Sequence, residues 1–200
     1  MELLVATTNK KKLEEIREFL KGLNVKVLSL ADCKNPPEVE EDGKTFSANA
    51  IKKAVTLSMY TGKLTLGEDS GLQVKALCNE PGIYSARYSG AGATDKKNNL
   101  KLLRALKGTP FKARQARYRC CMALADKKGI VDVVSGSCRG FIALRSSGTN
   151  GFGYDPLFFV PRYKKTFGKI SPEIKSKISH RACAFRKLRR VIEKYLASPR

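Results

Sequence analysis

The stretch ELLVATTNKKKLEEIREFLKGLNVKVLSL, residues 2–30, decides the fold class. Residues 2–6 are a short apolar run that reads as a strand. Thr7-Thr8-Asn9 is a polar turn able to cap a helix. Leu13, Ile16, Phe19 and Leu20 then recur at helical spacing until Gly22 ends the run. Residues 25–30 read as a second strand. Strand, turn, helix and strand in that order open a sheet with helices laid on it, the α/β class.

Outward from there, residues 31–42 form an irregular loop with Pro36 and Pro37, ending in the acidic cluster Glu38, Glu40, Glu41 and Asp42. Phe46, Ala50, Ala54 and Leu57 place a helix over residues 45–60. Residues 64–67 make a brief strand that runs into Glu68-Asp69-Ser70-Gly71. Pro81-Gly82 and Gly90-Ala91-Gly92 mark a long flexible loop. Residues 99–106 read as helix. Residues 113–126 and 130–145 read as two long strands joined at Lys127-Lys128-Gly129, a hairpin signal. Residues 147–150 are a turn. The tail over residues 180–197 is an amphipathic helix whose apolar face carries Ala184, Leu188, Val191, Ile192 and Tyr195. Early alternation followed by paired strands predicts a mixed sheet. With no repeat, low-complexity tract or linker, residues 1–200 read as a single domain.

The chain has 200 residues, 42% of them hydrophobic, enough for a sizeable core without disulfides. Its charge is less ordinary. Lys and Arg number 39 against 18 acidic residues, a formal charge of +21. Such an excess draws polyanions, whether nucleotides, nucleic acid or an anionic surface. Cys33, Cys78, Cys120, Cys121, Cys138 and Cys183 show no CxxC pairing and no metal spacing, so they read as free thiols in a reducing compartment. The opening is too short for a signal-peptide core, and no apolar run approaches the ~20 residues of a membrane span. These features predict a cytoplasmic protein with no membrane association.

Four segments can carry chemistry. Thr7, Thr8, Asn9, Lys10, Lys11 and Lys12 follow a strand and open a helix, where backbone N–H groups and the positive dipole end attract anions; an N-cap with a solvated basic turn is the plainer reading. Glu41 and the pair Glu68-Asp69 offer carboxylate oxygens, which suit magnesium with phosphate oxygens completing its shell; surface acids are the alternative. Phe152-Gly153-Tyr154-Asp155 puts a ring that can stack on a base beside an acid that can accept base N–H protons, or is simply a turn. His180, the only histidine, and Arg181 can both donate to a carbonyl oxygen, although a lone histidine is more often structural.

Together these pieces resemble the inosine triphosphate pyrophosphatase family. The segments that carry the resemblance are VATTNKKKLEEI (5–16), EDGKTFSANAIKKA (41–54), GEDSGLQVKAL (67–77), PGIYSARYSG (81–90), NGFGYDPLF (150–158) and KSKISHRACA (175–184), in family order. The resemblance implies an elongated mixed β-sheet with flanking helices, two lobes around a central active-site cleft, and a homodimer. It implies hydrolysis of ITP, dITP and XTP to the monophosphate and pyrophosphate with Mg2+. Thr7 through Lys12 match the triphosphate-binding segment, and Lys53 matches a phosphate-side lysine. Glu41 and Asp69 match the metal-associated acids, with Asp69 also the proton acceptor. Ser70 matches a substrate contact, residues 152–155 the base-binding turn, and Lys175, His180 and Arg181 the last substrate contacts. Glu68 stands where many relatives carry a second Asp, and Ala48 where Glu is common. The alternatives are a basic nucleic-acid-binding protein, gripping through the tail, and a pyrophosphatase for other modified nucleotides.

Overall fold

The computed structural model describes residues 1–197. In chain order the strands are β1 (Glu2–Ala6), β2 (Lys26–Leu28), β3 (Leu64–Val74), β4 (Gln115–Asp126), β5 (Gly129–Ile142), β6 (Phe158–Val160) and β7 (Lys165–Thr166). The helices are α1 (Lys10–Leu20), α2 (Phe46–Thr61), α3 (Asp95–Ala105), α4 (Pro172–Ile178) and α5 (His180–Ala197). The strands form one mixed sheet in the order β2-β1-β3-β4-β5-β6-β7. β1 pairs in parallel with both β2 and β3. Parallel neighbours need a crossover, and α1 and α2 supply them. β6 pairs antiparallel with β5 and with β7.

The chain divides into two compact units. Among the described residues the first comprises Met1–Asp69, Cys120–Gly136 and residues 182–197; the second comprises Ser70–Arg119 and Ser137–Arg181. The divisions fall inside β3, β4, β5 and α5, so no loop announces them, which is why the sequence shows no linker.

The first unit buries Leu3 and Val5 of β1, Ile16 and Leu20 of α1, Leu64 and Leu66 of β3, and Ala184, Leu188 and Ile192 of α5 in one cluster. Phe19 stacks on Phe185 within it, ring centroids 5.0 Å apart. Removing these faces from water is the main force closing the unit. The second unit has its own cluster, including Leu72, Leu102, Tyr118, Ile142, Phe158 and Phe167.

The structure departs from the sequence reading at several places. β2 is only Lys26–Leu28, and Leu30–Asp32 turns into a 3-10 helix. The Asp32 carboxylate accepts from both the Ser29 amide and its hydroxyl at 2.7 Å, which bends the chain out of the strand. β3 runs through Glu68-Asp69-Ser70 to Val74, because those polar side chains are nearly all buried and held by partners. The glycine-marked loop holds a 3-10 helix, Gly82–Arg87. Asn98 pins it, accepting from the Ser89 amide at 2.8 Å and donating to the Ala86 carbonyl at 3.0 Å. α3 starts at Asp95, capped by Thr94, four residues ahead of the expected start. β6, β7 and α4 were not expected. The tail helix, the 45–60 helix and the long hairpin stand close to their expected limits. All six cysteines are thiols outside any disulfide, with Cys120 and Cys121 both buried.

Candidate active site

In the first unit β1 ends at Ala6 and α1 begins at Lys10. The turn between them is built by its own side chains. Asn9 Oδ1 accepts from the Lys12 amide at 3.1 Å, and Thr7 Oγ1 accepts from the Asn9 amide at 3.2 Å. The first turn of α1 holds no acid to offset its positive end, and Thr8, Lys10 and Lys11 stand exposed there. Lys12 reaches back across the unit to Glu68, Nζ to Oε2 2.7 Å. Glu68 is 1% exposed, and its other oxygen accepts from Cys120 Sγ at 3.4 Å.

The next residue of β3 is Asp69, 4% exposed. Its carboxylate accepts from Asn49 Nδ2 of α2 at 3.0 Å. Asn49 Oδ1 in turn accepts from the Gly43 amide at 2.8 Å, tying the acidic loop to the same helix. One helical turn after Asn49 comes Lys53, on the same face, whose Nζ lies 3.0 Å from Glu41 Oε1. Burial pushes the Asp69 carboxyl up, Lys53 and the Asn49 hydrogen bond pull it down, and Glu41 raises it again; the result is about 6. Gly67 sets this geometry. A Cβ there would stand 2.1 Å from the Ala50 carbonyl oxygen and 2.8 Å from the Ala54 amide. Only a hydrogen lets α2, with Asn49 and Lys53, lie this close to the strand that carries Asp69.

In the second unit the turn 150–155 folds around Asp155. Its Oδ2 accepts from the Phe152 amide at 2.9 Å and lies 2.6 Å from Lys175 Nζ, and its Oδ1 accepts from the Tyr118 hydroxyl at 3.5 Å. Gly151, at φ +77°, passes so near that a Cβ would sit 2.0 Å from Asp155 Oδ2. The Gly153 amide donates to Asp95 at 2.7 Å and its carbonyl accepts from Asn99 at 2.8 Å. Tyr154 is buried and donates to the Ser85 carbonyl at 2.8 Å. Above the turn, Lys175 Nζ and the Arg181 guanidinium lie 4.9 and 5.6 Å from the centre of the Phe152 ring. Arg181 Nη2 donates to Ser70 Oγ at 3.2 Å. His180 stacks on Tyr118, centroids 4.6 Å apart and planes 9° from parallel. Burial drives the Tyr118 hydroxyl well above its usual range, so it stays a donor.

The expected residues therefore fall into two groups. Thr7, Asn9, Lys12, Glu41, Lys53 and Asp69 gather in the first unit. Ser70, Phe152, Lys175, His180 and Arg181 gather in the second. Asp155 and Tyr154 face inward, engaged with their own unit, so the expectation that Asp155 takes base protons meets a carboxylate already bonded to Phe152 and Lys175. Sequence reading missed Asn49, Gly67 and Tyr118. Asn49 carried a signal: it shares the buried face marked by Phe46, Ala50 and Lys53, where a polar amide needs a partner.

The sequence matches the model of the Ham1 family over residues 3–191. The chain is 46% identical over 194 residues to the dITP/XTP pyrophosphatase of Desulforamulus reducens, covering 97% of this chain and 96% of that one. It is 50% identical over 182 residues to the dITP/XTP pyrophosphatase of Geobacter sulfurreducens, covering 91% and 92%. Its fold matches that of a HAM1 protein from Coxiella burnetii with a TM-score of 0.90 and 37% identity, over 97% of this chain and 99% of the other.

Proposed function

The chain belongs to the Ham1 family, and from that premise we propose that it hydrolyses ITP, dITP and XTP to the monophosphate and pyrophosphate. It is a nucleoside triphosphate pyrophosphatase that clears non-standard purines from the nucleotide pool. The observation that carries this reading is Asp69: a buried carboxylate near pKa 6, held by Asn49 and flanked by Lys53, Lys12 and Glu41.

Asp69 takes a proton from a water directed at the α-phosphorus, and its raised pKa suits a base working near neutrality. The bond that breaks joins the α-phosphorus to the bridging oxygen of the leaving pyrophosphate. Lys12 and Lys53 face the charge that gathers on that leaving group. The turn at residues 7–9 and the open end of α1 hold the remaining phosphate oxygens. Glu41 and Asp69 supply hard oxygen donors, which fit a divalent ion such as Mg2+, and no cluster of three or more His, Cys, Asp or Glu gathers among the described residues. When bound, the ion supplies charge neutralisation and orientation of the phosphates.

On the base side, Phe152 offers its ring for stacking, while His180 and Arg181 supply N–H donors to an oxygen at purine position six. Adenine presents a donor there and would leave those groups facing another donor, a mismatch that costs up to ~10⁴-fold in favourable sites. Asp155, Tyr154 and Lys175 are positioning residues that hold the turn. The phosphate-side set and the base-side set belong to different units, and the chain passes from one to the other between the consecutive residues Asp69 and Ser70. The whole chain acts as one catalytic domain, in the cytoplasm and as a homodimer. The family resemblance supports that assembly, and no helix among the described residues is long and apolar enough to cross a membrane.

The test is an assay of purified protein with Mg2+ against ITP, dITP, XTP, ATP and GTP, separating pyrophosphate from orthophosphate. Pyrophosphate release from the first three, well above ATP, is expected. Orthophosphate as the product, or no preference over ATP, refutes the reading.

A further inference from the structure

Much of the positive charge has no part in the phosphate chemistry above, and the second unit gathers some of it around an aromatic ridge. A cavity of about 520 Å³ is lined by Lys75, Arg117 and Arg139 with the amides of Gln73 and Gln115. A second, of about 310 Å³, is lined by Arg145, Lys164, Lys165 and Lys169. Neither lining includes an Asp or a Glu. Phe141 lines the first cavity, and Phe111 and Phe159 line the second. The three rings touch: Phe111 stacks on Phe141 at 5.2 Å and meets Phe159 edge-on at 5.5 Å. Phe111 remains 37% exposed. Arg117 is held in place by its bond to Gln73 Oε1 at 3.0 Å.

We infer that this face binds single-stranded nucleic acid, its rings stacking bases and its two cation-lined cavities taking the backbone phosphates. Both volumes lie in the ~300–1,000 Å³ range of small-ligand sites. Aromatic rings interleaved with cations are what an unpaired strand recognises, because every base has a face to stack and every link a charge. Paired bases offer no such face. A second copy of the chain would bring seven cations against seven, which repel. Two cavities joined by one ridge suit a chain of linked nucleotides better than a single free one. The basic tail helix, the obvious sequence candidate, is partly engaged within its own unit: Lys187 donates to the Ser135 carbonyl at 2.8 Å, and Arg189 pairs with Glu193 at 3.0 Å.

The test is fluorescence anisotropy of the full chain with a labelled oligothymidylate of ~12 nucleotides, titrated from ~50 to ~200 mM NaCl. Binding that weakens with salt is expected. The exposed triple variant Lys164→Gln, Lys165→Gln, Lys169→Gln should bind at least roughly tenfold more weakly and flatten the slope of log K against log salt by about 2, at ~0.7 per phosphate. Phe111→Ala should lose roughly fivefold to a hundredfold. Both variants should release pyrophosphate from dITP at the wild-type rate, so the outcome does not depend on the catalytic reading. Unchanged binding by both variants overturns the inference. So does loss of binding in Arg186→Gln, Arg190→Gln, Lys194→Gln instead. Displacement of the oligomer by dTMP at equal concentration of nucleotide would assign the cavities to free nucleotides. Equal displacement by phosphatidylserine vesicles would assign them to a lipid surface. Either result also overturns it.

Discussion

If Asp69 is the proposed base, function and stability pull on it in opposite directions. Burial raises its carboxyl from 3.8 to about 6. Between those values the folded protein holds a proton that the unfolded chain has released, so this residue's contribution to stability falls as pH rises through the window. Above it the fold carries a buried charge at a cost of roughly 3 kcal/mol, at ~1.4 kcal/mol per pH unit. In EDTA, Asp69→Asn should therefore be more stable than wild type at pH 8 and nearly equal to it at pH 4, read from urea midpoints. The same variant should lose ~10²- to 10⁴-fold in turnover; near-normal turnover would refute the base assignment. Arg181 lies 5.6 Å from the Phe152 ring centre and donates to Ser70. Arg181→Ala should erase the preference for ITP over ATP in kcat/KM, and unchanged selectivity would count against its role.

At the scale of elements, the contact between β3 and α2 sets the spacing of the phosphate-side residues. Gly67→Ala puts a methyl 2.1 Å from the Ala50 carbonyl oxygen, so α2 must shift. A loss of about 1–3 kcal/mol is expected, together with a drop in kcat as Asn49 and Lys53 leave Asp69; a stability and rate equal to wild type would show that the helix tolerates the shift. The elements that sequence disclosed are those with a clear period. α1, α2, α5 and the hairpin of β4 and β5 repeat their apolar residues at helical or strand spacing. The sequence shows only the first residues of β3, because Glu68, Asp69 and Ser70 have the polarity of a loop, and only the partners Lys12, Asn49 and Arg181 explain their place in a strand. β6, β7 and α4 are three, two and seven residues long, too short to show any period. Of the candidate site, residues 7–12, Glu41, Asp69, the turn at 152–155, His180 and Arg181 stand out by residue type with a plainer reading beside each, while Lys53, Ser70 and Lys175 enter only through the family resemblance. The site's interior was not legible: Asn49, Gly67 and Tyr118 matter through what they touch, and contact has no linear signature.

For the molecule as a whole, a charge of +21 means that its surface repels itself. Raising NaCl from ~10 to ~150 mM shortens the screening length from ~30 to ~8 Å. Thermal unfolding followed over that range should shift upward by a few degrees (about), and a flat response would show the charges to be spread too thinly to matter. Against this background two of the few acids are committed to lysines at the heart of the first unit, Glu68 to Lys12 and Glu41 to Lys53. On the proposed reading these two carboxylates occupy the cations that phosphate would take. An arriving nucleotide would then not capture idle cations; it would trade places with carboxylates that already hold them. Such a swap spares the cost of ordering long side chains and asks for a small heat of binding.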